Sequence, residues 1–400
     1  MSEAPASGQA APTILPPFAS YQAEIFLRGM AGERPPLPVA IAELERILER
    51  TAEPRAAAYI LGGAGTEDTM RANESAFRRW RIVPRILCDV SERDLSTTAL
   101  HTPMPAPVAL APIGSQTIVH PEGELAVARA AAAVGLAMSV STVSSSTLEE
   151  IAAAASGPKW FQLYWPRNPE LAASFISRAE RAGYQALLVT LDVGQPGWRP
   201  RDLQTAWQPF LDGIGIANYL SDPVFQSLLE RPPEEDPQSA TGQFIWQFIN
   251  PTLTWRELER LREMTSLPVA LKGVLHPDDA RLAREHGIDG VVVSNHGGRQ
   301  VDGAVASLDA LPAVLEAVGD QVEVLLDSGV RSGADAVKAI ALGARAVLVG
   351  RPYLWGLAVG GEAGVVHVLR TILAELDLTI AFSGHTRADT LDAGVLVPQP

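Results

Sequence analysis

A (β/α)8 (TIM) barrel is the fold this sequence predicts, and three observations carry the prediction. From residue 106 onward, eight short apolar runs alternate with Ala-rich amphipathic stretches, as parallel strands joined by crossover helices do. The alternation shows no reversal point, which favours a closed barrel over a doubly wound open sheet. Nearly every apolar run also ends on a polar or charged residue, and barrel strands deliver such residues to one common face.

Taken in order, residues 1–20 are rich in Ala, Pro and Ser and read as a flexible N-terminal arm. Residues 21–105 read as a helical cover. Within it, 37–61 has apolar residues at helical spacing interrupted by Pro54, and 66–80 opens with the capping-type sequence TEDT. These helices are expected to cover the lower end of the barrel. The strands fall at 107–113, 136–141, 159–164, 186–192, 268–273, 290–295, 322–329 and 346–351, within a barrel domain spanning 106–385. Between them the stretches GELAVARAAAAVG, STLEEIAAAA, NPELAASFISRAERAG, TWRELERLREMTS, HPDDARLAREHG, SLDALPAVLEAVG and SGADAVKAIALG read as helices. The interval 193–267 is far longer than an ordinary strand-to-helix connection and contains RPPEEDPQS. Because it leaves the C-terminal end of the fourth strand, residues 193–255 are expected to form a lid over the site. Residues 386–400 make a C-terminal tail.

The totals narrow the partners. A formal charge of -14 repels polyphosphate backbones, so no nucleic acid is expected. The single cysteine, Cys88, excludes an internal disulfide and any multi-cysteine metal cluster, and reads as a packing residue. No signal peptide or membrane span is legible, so a soluble cytoplasmic protein is expected.

The strand ends carry Gly114 and Ser115, Ser141, Gln162 with Tyr164, Thr190 with Asp192, Lys272, Asn295 with His296, Asp327 and Arg351. Any one of these could be a turn former; eight ends together predict a polar site. DSGVRSGAD and GRPYLWG follow the last two strands, where barrels commonly bind phosphate. There Gly329 and Gly350 admit an anion to the backbone, and Arg331 and Arg351 add charge. In SNHGGRQVDG, His296 and Arg299 can face a bound acid together, one accepting a hydroxyl proton and the other gripping a carboxylate with its planar fork. Asp192 can fix the imidazole tautomer. The remaining histidines make no metal-ligand pattern, so no catalytic metal is expected.

At SNHGGRQ the sequence resembles the FMN-dependent 2-hydroxy acid oxidase and dehydrogenase family. YILGGAGTED (59–68), APIG (111–114), HPEGELA (120–126), FQLY (161–164), TLD (190–192), LKG (271–273), DSGVR (327–331) and GRP (350–352) extend the likeness over nearly the whole chain. The resemblance implies FMN as cofactor, its ring over Ala111, Pro112, Ile113 and Gly114. Ser141, Gln162 and Thr190 would bind its polar edge, with Lys272 beside the ring to stabilise negative charge. Ser294, Asp327, Gly329, Arg331, Gly350 and Arg351 would hold the ribityl chain and phosphate. Tyr59, Arg199 and Arg299 resemble the residues that bind the substrate carboxylate, and Tyr164 the one near its hydroxyl. His296, assisted by Asp192, would remove the hydroxyl proton while the Cα hydrogen passes to the flavin.

Within the family, GWRPRDL (197–203), NYLSDPVFQ (218–226), Gly114 and Ser328 look most like lactate 2-monooxygenase, which turns lactate and O2 into acetate, carbon dioxide and water. The QPG before Trp198 and the residues through RPPEEDPQSATG depart from that enzyme, and Val143 replaces a larger residue found in some relatives. The alternative is an oxidase that releases the 2-keto acid and hydrogen peroxide. A dehydrogenase serving a quinone or cytochrome lacks its expected membrane segment or haem domain here, and a non-redox barrel would have no need of His296, Arg299, Arg199 and Tyr59 around an acid. A homotetramer or higher homo-oligomer is implied by the resemblance alone.

Overall fold

The computed structural model describes residues 17–399. Residues 1–16 of the expected arm lie outside the described residues, and Ser20 already begins a helix, Ser20–Met30, that the sequence pattern did not reveal. Eight parallel strands close into a barrel: β1 Val108–Leu110, β2 Met138–Ser141, β3 Lys159–Tyr164, β4 Ala186–Thr190, β5 Val269–Val274, β6 Gly290–Val293, β7 Glu323–Leu326 and β8 Ala346–Val349. Pairing of Val347 with Val108 joins β8 to β1 and closes the ring. The chain therefore has the predicted (β/α)8 architecture, with its strands Val- and Leu-rich because both faces are covered.

Several strands stop earlier than the apolar runs suggested. β7 ends at Leu326, with Asp327 N still donating to Val293 O at 3.1 Å, and β8 ends at Val349, so that Arg351 is the first residue of a helix, Arg351–Phe382. That helix follows the eighth strand and completes the βα count. Backbone pairing runs one residue past several strand ends, as where Leu191 N donates to Lys272 O at 3.0 Å, before the chain turns to present polar groups.

The lower end of the barrel is closed by an antiparallel hairpin, Thr97–Ala99 with Thr102–Met104, rather than by the N-terminal helices. Leu100 at its turn is fully buried and packs with Trp160, Ala270 and Leu325 of the barrel interior. The Trp160 indole donates to Thr102 Oγ1 at 2.8 Å, and the Glu323 carboxylate accepts from the Leu100 amide at 2.8 Å. Burying one such leucine is worth roughly 1.5–3 kcal/mol.

The helices expected at the lower end sit instead at the upper end, where Asp68–Arg78 packs against the turn that follows β6. Residues 37–61 form two helices, Ile41–Thr51 and Pro54–Leu61, because Pro54 starts the second, whose amides of Arg55 and Ala56 are capped by Glu53. The helix Asp68–Arg78 has no cap from TEDT; Glu67 at its start takes a left-handed conformation. Its orphan amides go to Asp302, a residue distant in sequence, which accepts from Thr66 N, Asp68 N and Thr69 N. Amphipathic spacing showed that these helices had a face to bury, but could not say which end of the barrel would bury it. Trp80–Ile82 pairs antiparallel with Leu396–Pro398, tying the last residues of the chain to this cover.

Residues after β4 are largely helical: Pro200–Thr205, Ala217–Leu220, Pro223–Ser227 and Pro237–Phe248. RPPEEDPQS links two of these, and its Asp236 caps the last by accepting from Ser239 N. Tyr219, Phe225 and Phe244 pack edge to face and are fully buried, so the segment has an aromatic core of its own. No described helix is long and apolar enough to cross a membrane.

Candidate active site

The C-terminal ends of the strands surround a cavity of about 1280 Å³ including its open mouth. Its wall contains Tyr59, Ala111, Pro112, Ile113, Gly114, Tyr164, Arg199, Lys272, His296, Arg299, Asp327, Gly329, Arg331, Gly350 and Arg351. Ser141, Gln162, Thr190, Asp192 and Ser294 are not in that wall: Ser141 bonds Gln162, Asp192 backs His296 and Ser294 backs Lys272, whereas Thr190 lines an adjoining cavity with Tyr164. Among the described residues, no group of three or more His, Cys, Asp or Glu side chains could hold a metal ion.

His296 follows β6 and has φ +59, a left-handed backbone rarely taken by a residue with a side chain. The turn is held from several sides. His296 N donates to Ser294 Oγ at 3.1 Å, Asn295 Oδ1 accepts from Gly298 N at 3.1 Å, and Gly297 N donates to Ser328 Oγ at 2.9 Å. Ser328 also has positive φ, so a serine occupies a position that would suit glycine, and its hydroxyl ties the His296 turn to the loop after β7. Asn73 and Asn295 form a reciprocal buried amide pair at 2.8 and 2.7 Å, fastening the turn to the helix Asp68–Arg78.

His296 Nδ1 lies 3.0 Å from Asp192 Oδ1. With the carboxylate as acceptor, Nδ1 carries the proton and Nε2 keeps its lone pair. Burial lowers the His296 pKa below its ordinary value, with Asp192 opposing the shift. Burial by itself would raise Asp192, but His296 and then Lys272 bring it below the usual carboxylate value. The result is a neutral base backed by an ionised acid.

Lys272 on β5 is buried, with Nζ 2.9 Å from both Ser294 Oγ and Asp327 Oδ2. Burial opposes its charge, yet Asp327 and Asp192 keep its pKa above the ordinary value. Arg299 donates to the Tyr59 and Gly62 carbonyls and lies over the Tyr59 ring, 5.0 Å from its centroid. Arg199 donates to the Arg299 carbonyl at 3.0 Å and to Gln300 Oε1 at 2.7 Å. Burial and the Arg299 charge hold Arg199 down to about 10. Tyr164 packs edge-on to Phe248, and burial raises its phenol.

Three observations test whether these residues fit FMN. Gln162 Nε2 and Thr190 Oγ1 are buried with no hydrogen-bond partner, although Ser141 Oγ donates to Gln162 Oε1 at 2.9 Å. Such orphans call for a polar ligand edge. At the other end Arg351 is held down to about 9 by burial and by the charges of Arg299 and Arg331, while its guanidinium donates only to carbonyls of Ile60, Gly297 and Gly62. Buried cations so arranged, beside Gly329, Gly350 and the Ser332-capped helix Gly333–Ala341, suit a phosphate. Finally, a Cβ on Gly114 would meet Val143 O at 2.2 Å, so the backbone that floors the cavity packs too closely for any side chain. The residues present fit the cofactor.

Sequence reasoning missed several parts of this site. Phe210, Phe248 and Gln208 enter the wall from the segment after β4, and Val330 and Leu354 are ordinary apolar residues with no local signal. Asn73 and Asp202 also went unnoticed.

Fold and site together define a flavin-binding oxidoreductase built on a (β/α)8 barrel. The chain belongs to the FMN-dependent dehydrogenase family, which matches residues 48–398. It is thus an FMN-dependent oxidoreductase. It is 43% identical to an L-lactate oxidase of Lysinibacillus sphaericus (strain C3-41) over 94% of this chain and 96% of that protein. It is 40% identical to human 2-hydroxyacid oxidase 1, covering 86% and 92% of the two chains. Among solved structures, mandelate oxidase with (S)-2-phenylpropionate superposes with a TM-score of 0.79 at 37% identity, over 91% of this chain and 99% of that one.

Proposed function

We propose that the protein oxidises small L-2-hydroxy acids with O2, and that His296 is its catalytic base. The observation that carries this reading is the His296–Asp192 pair at 3.0 Å beside two guanidiniums in one cavity. Arg199 and Arg299 hold the substrate carboxylate, Tyr59 and Tyr164 complete the polar wall, and the hydroxyl is presented to His296 Nε2. The imidazole takes the hydroxyl proton, and Asp192 stabilises the imidazolium that results. Lys272 would place positive charge beside a bound flavin, and Ser141, Gln162 and Thr190 would meet its polar edge. Asp327, Gly329, Arg331, Gly350 and Arg351 line the cavity toward the end that would hold the phosphate, with Ser294 behind them on Lys272. Bound FMN supplies the two-electron acceptor for the Cα–H bond.

Relatives named L-lactate oxidase and 2-hydroxyacid oxidase support release of a 2-keto acid with hydrogen peroxide. A second reading, oxidative decarboxylation in the manner of lactate 2-monooxygenase, is favoured by one observation. The helical segment after β4 contributes Phe210 and Phe248 to the wall, and such a cover can retain a keto acid beside peroxide. Product analysis with lactate under air separates them. Stoichiometric pyruvate and peroxide support the oxidase, whereas acetate and carbon dioxide without free peroxide support the monooxygenase.

A further inference from the structure

Asp202 is a buried carboxylate, 4% exposed, that the proposed reaction does not use. It lies on the short helix Pro200–Thr205, and neither of its carboxylate oxygens has a hydrogen-bond partner. The nearest counter-charges are Arg199 Nη1 at 3.8 Å and Arg299 Nη2 at 4.0 Å. These separations exceed hydrogen-bond range, so Asp202 acts on both guanidiniums through its field. Both arginines line the cavity, whereas Asp202 is not in its wall and reaches it only through their charges.

The arginines do not depend on Asp202 for their positions. Arg199 is anchored by the Arg299 carbonyl and Gln300, and Arg299 by the carbonyls of Tyr59 and Gly62. What Asp202 contributes is charge. A carboxylate ligand on the far side of the guanidiniums feels two positive charges reduced by one negative charge behind them.

We infer that Asp202 is a built-in counter-charge that weakens the hold of Arg199 and Arg299 on carboxylates, so that the acid product can leave. The inference rests on the proposed carboxylate site. At a separation of about 8 Å and an effective dielectric of about 20, removing the Asp202 charge tightens binding by roughly tenfold to thirtyfold. Burial pushes the Asp202 carboxyl up, with Arg299 and then Arg199 opposing it. The test therefore belongs at about pH 8, well above the ordinary carboxylate range.

In FMN-loaded enzyme, Asp202→Asn is titrated with oxalate, a carboxylate that offers no Cα–H bond, while flavin absorbance is followed. The expected result is a Kd lowered roughly tenfold or more, with kcat and KM falling together as product release slows. The thermal midpoint should fall, because the two buried guanidiniums are left without their counter-charge, so a tighter Kd cannot come from a merely stabilised fold. Asp202→Ser provides a second uncharged variant should the first fail to fold. An unchanged or raised Kd in the folded variants overturns the inference, since a merely structural carboxylate would loosen the site when lost. A wild-type flavin that does not respond to oxalate at all would overturn the carboxylate site itself, which is a separate failure.

Discussion

Replacing Asp192 with Asn removes a charge while nearly preserving shape, and its effect can be worked out from the site. Asp192 Oδ1 accepts from His296 Nδ1 at 3.0 Å, and Oδ2 has no partner. The pair is therefore held by one contact whose value grows when the imidazole becomes charged. Breaking a buried charged pair costs about 3–5 kcal/mol. If roughly 3 kcal/mol of that is felt in the transition state, flavin reduction slows by two to three orders of magnitude. The pH dependence carries a sign as well. His296 must be neutral to accept a proton, and burial already places its pKa below the ordinary 6.5, so the acid limb of the rate profile lies below that value. Asp192 raises the His296 pKa, so removing it moves the limb to still lower pH while the plateau drops. Stopped-flow reduction without oxygen, recorded across pH for wild type and Asp192→Asn, reads both effects. A plateau within about threefold of wild type, or a limb shifted upward, would refute the reasoning.

Three further outcomes are expected. Gly114→Ala puts a Cβ against Val143 O and Val143 Cγ2, and this overpacking should lower stability by about 1–3 kcal/mol in denaturant titrations. Asn73→Ala breaks the amide pair with Asn295 and leaves buried polar groups unmatched, costing about 1–3 kcal/mol; flavin reduction should also slow as the His296 turn loosens. Asp302 is held down to about 2 by hydrogen bonds from Thr66 first, then from Thr69 and Asp68. A lowered carboxylate pKa gives stability that is present above the ordinary 3.8 and fades as pH falls toward about 2. Wild-type melting temperature should therefore drop through that window, and Asp302→Ala should flatten that drop.

How much could be read from the chain depends on the range of the interactions involved. The barrel was legible because strands such as ALLVT and the helices between them repeat a local period, and for the same reason strand-end residues such as Gly114, Tyr164, Lys272, His296 and Asp327 line the cavity. Helix ends held by distant residues were not legible. Asp302 caps a helix more than two hundred positions earlier, a contact that TEDT cannot reveal. The Leu100 hairpin that plugs the barrel reads locally as an ordinary turn, and only the closed ring of strands shows what it fills. Asp202 was hidden for another reason. Its neighbours Arg199 and Arg299 are a hundred residues apart, and its lack of hydrogen bonds exists only in three dimensions.

The measurement that bears most directly on the central claim is anaerobic bleaching of the bound flavin by a panel of 2-hydroxy acids, in wild type and His296→Ala. The account predicts a yellow wild-type protein that bleaches with at least one small L-2-hydroxy acid, and a variant that keeps its flavin but does not bleach. Bleaching of His296→Ala at the wild-type rate would contradict the claim that His296 is the base.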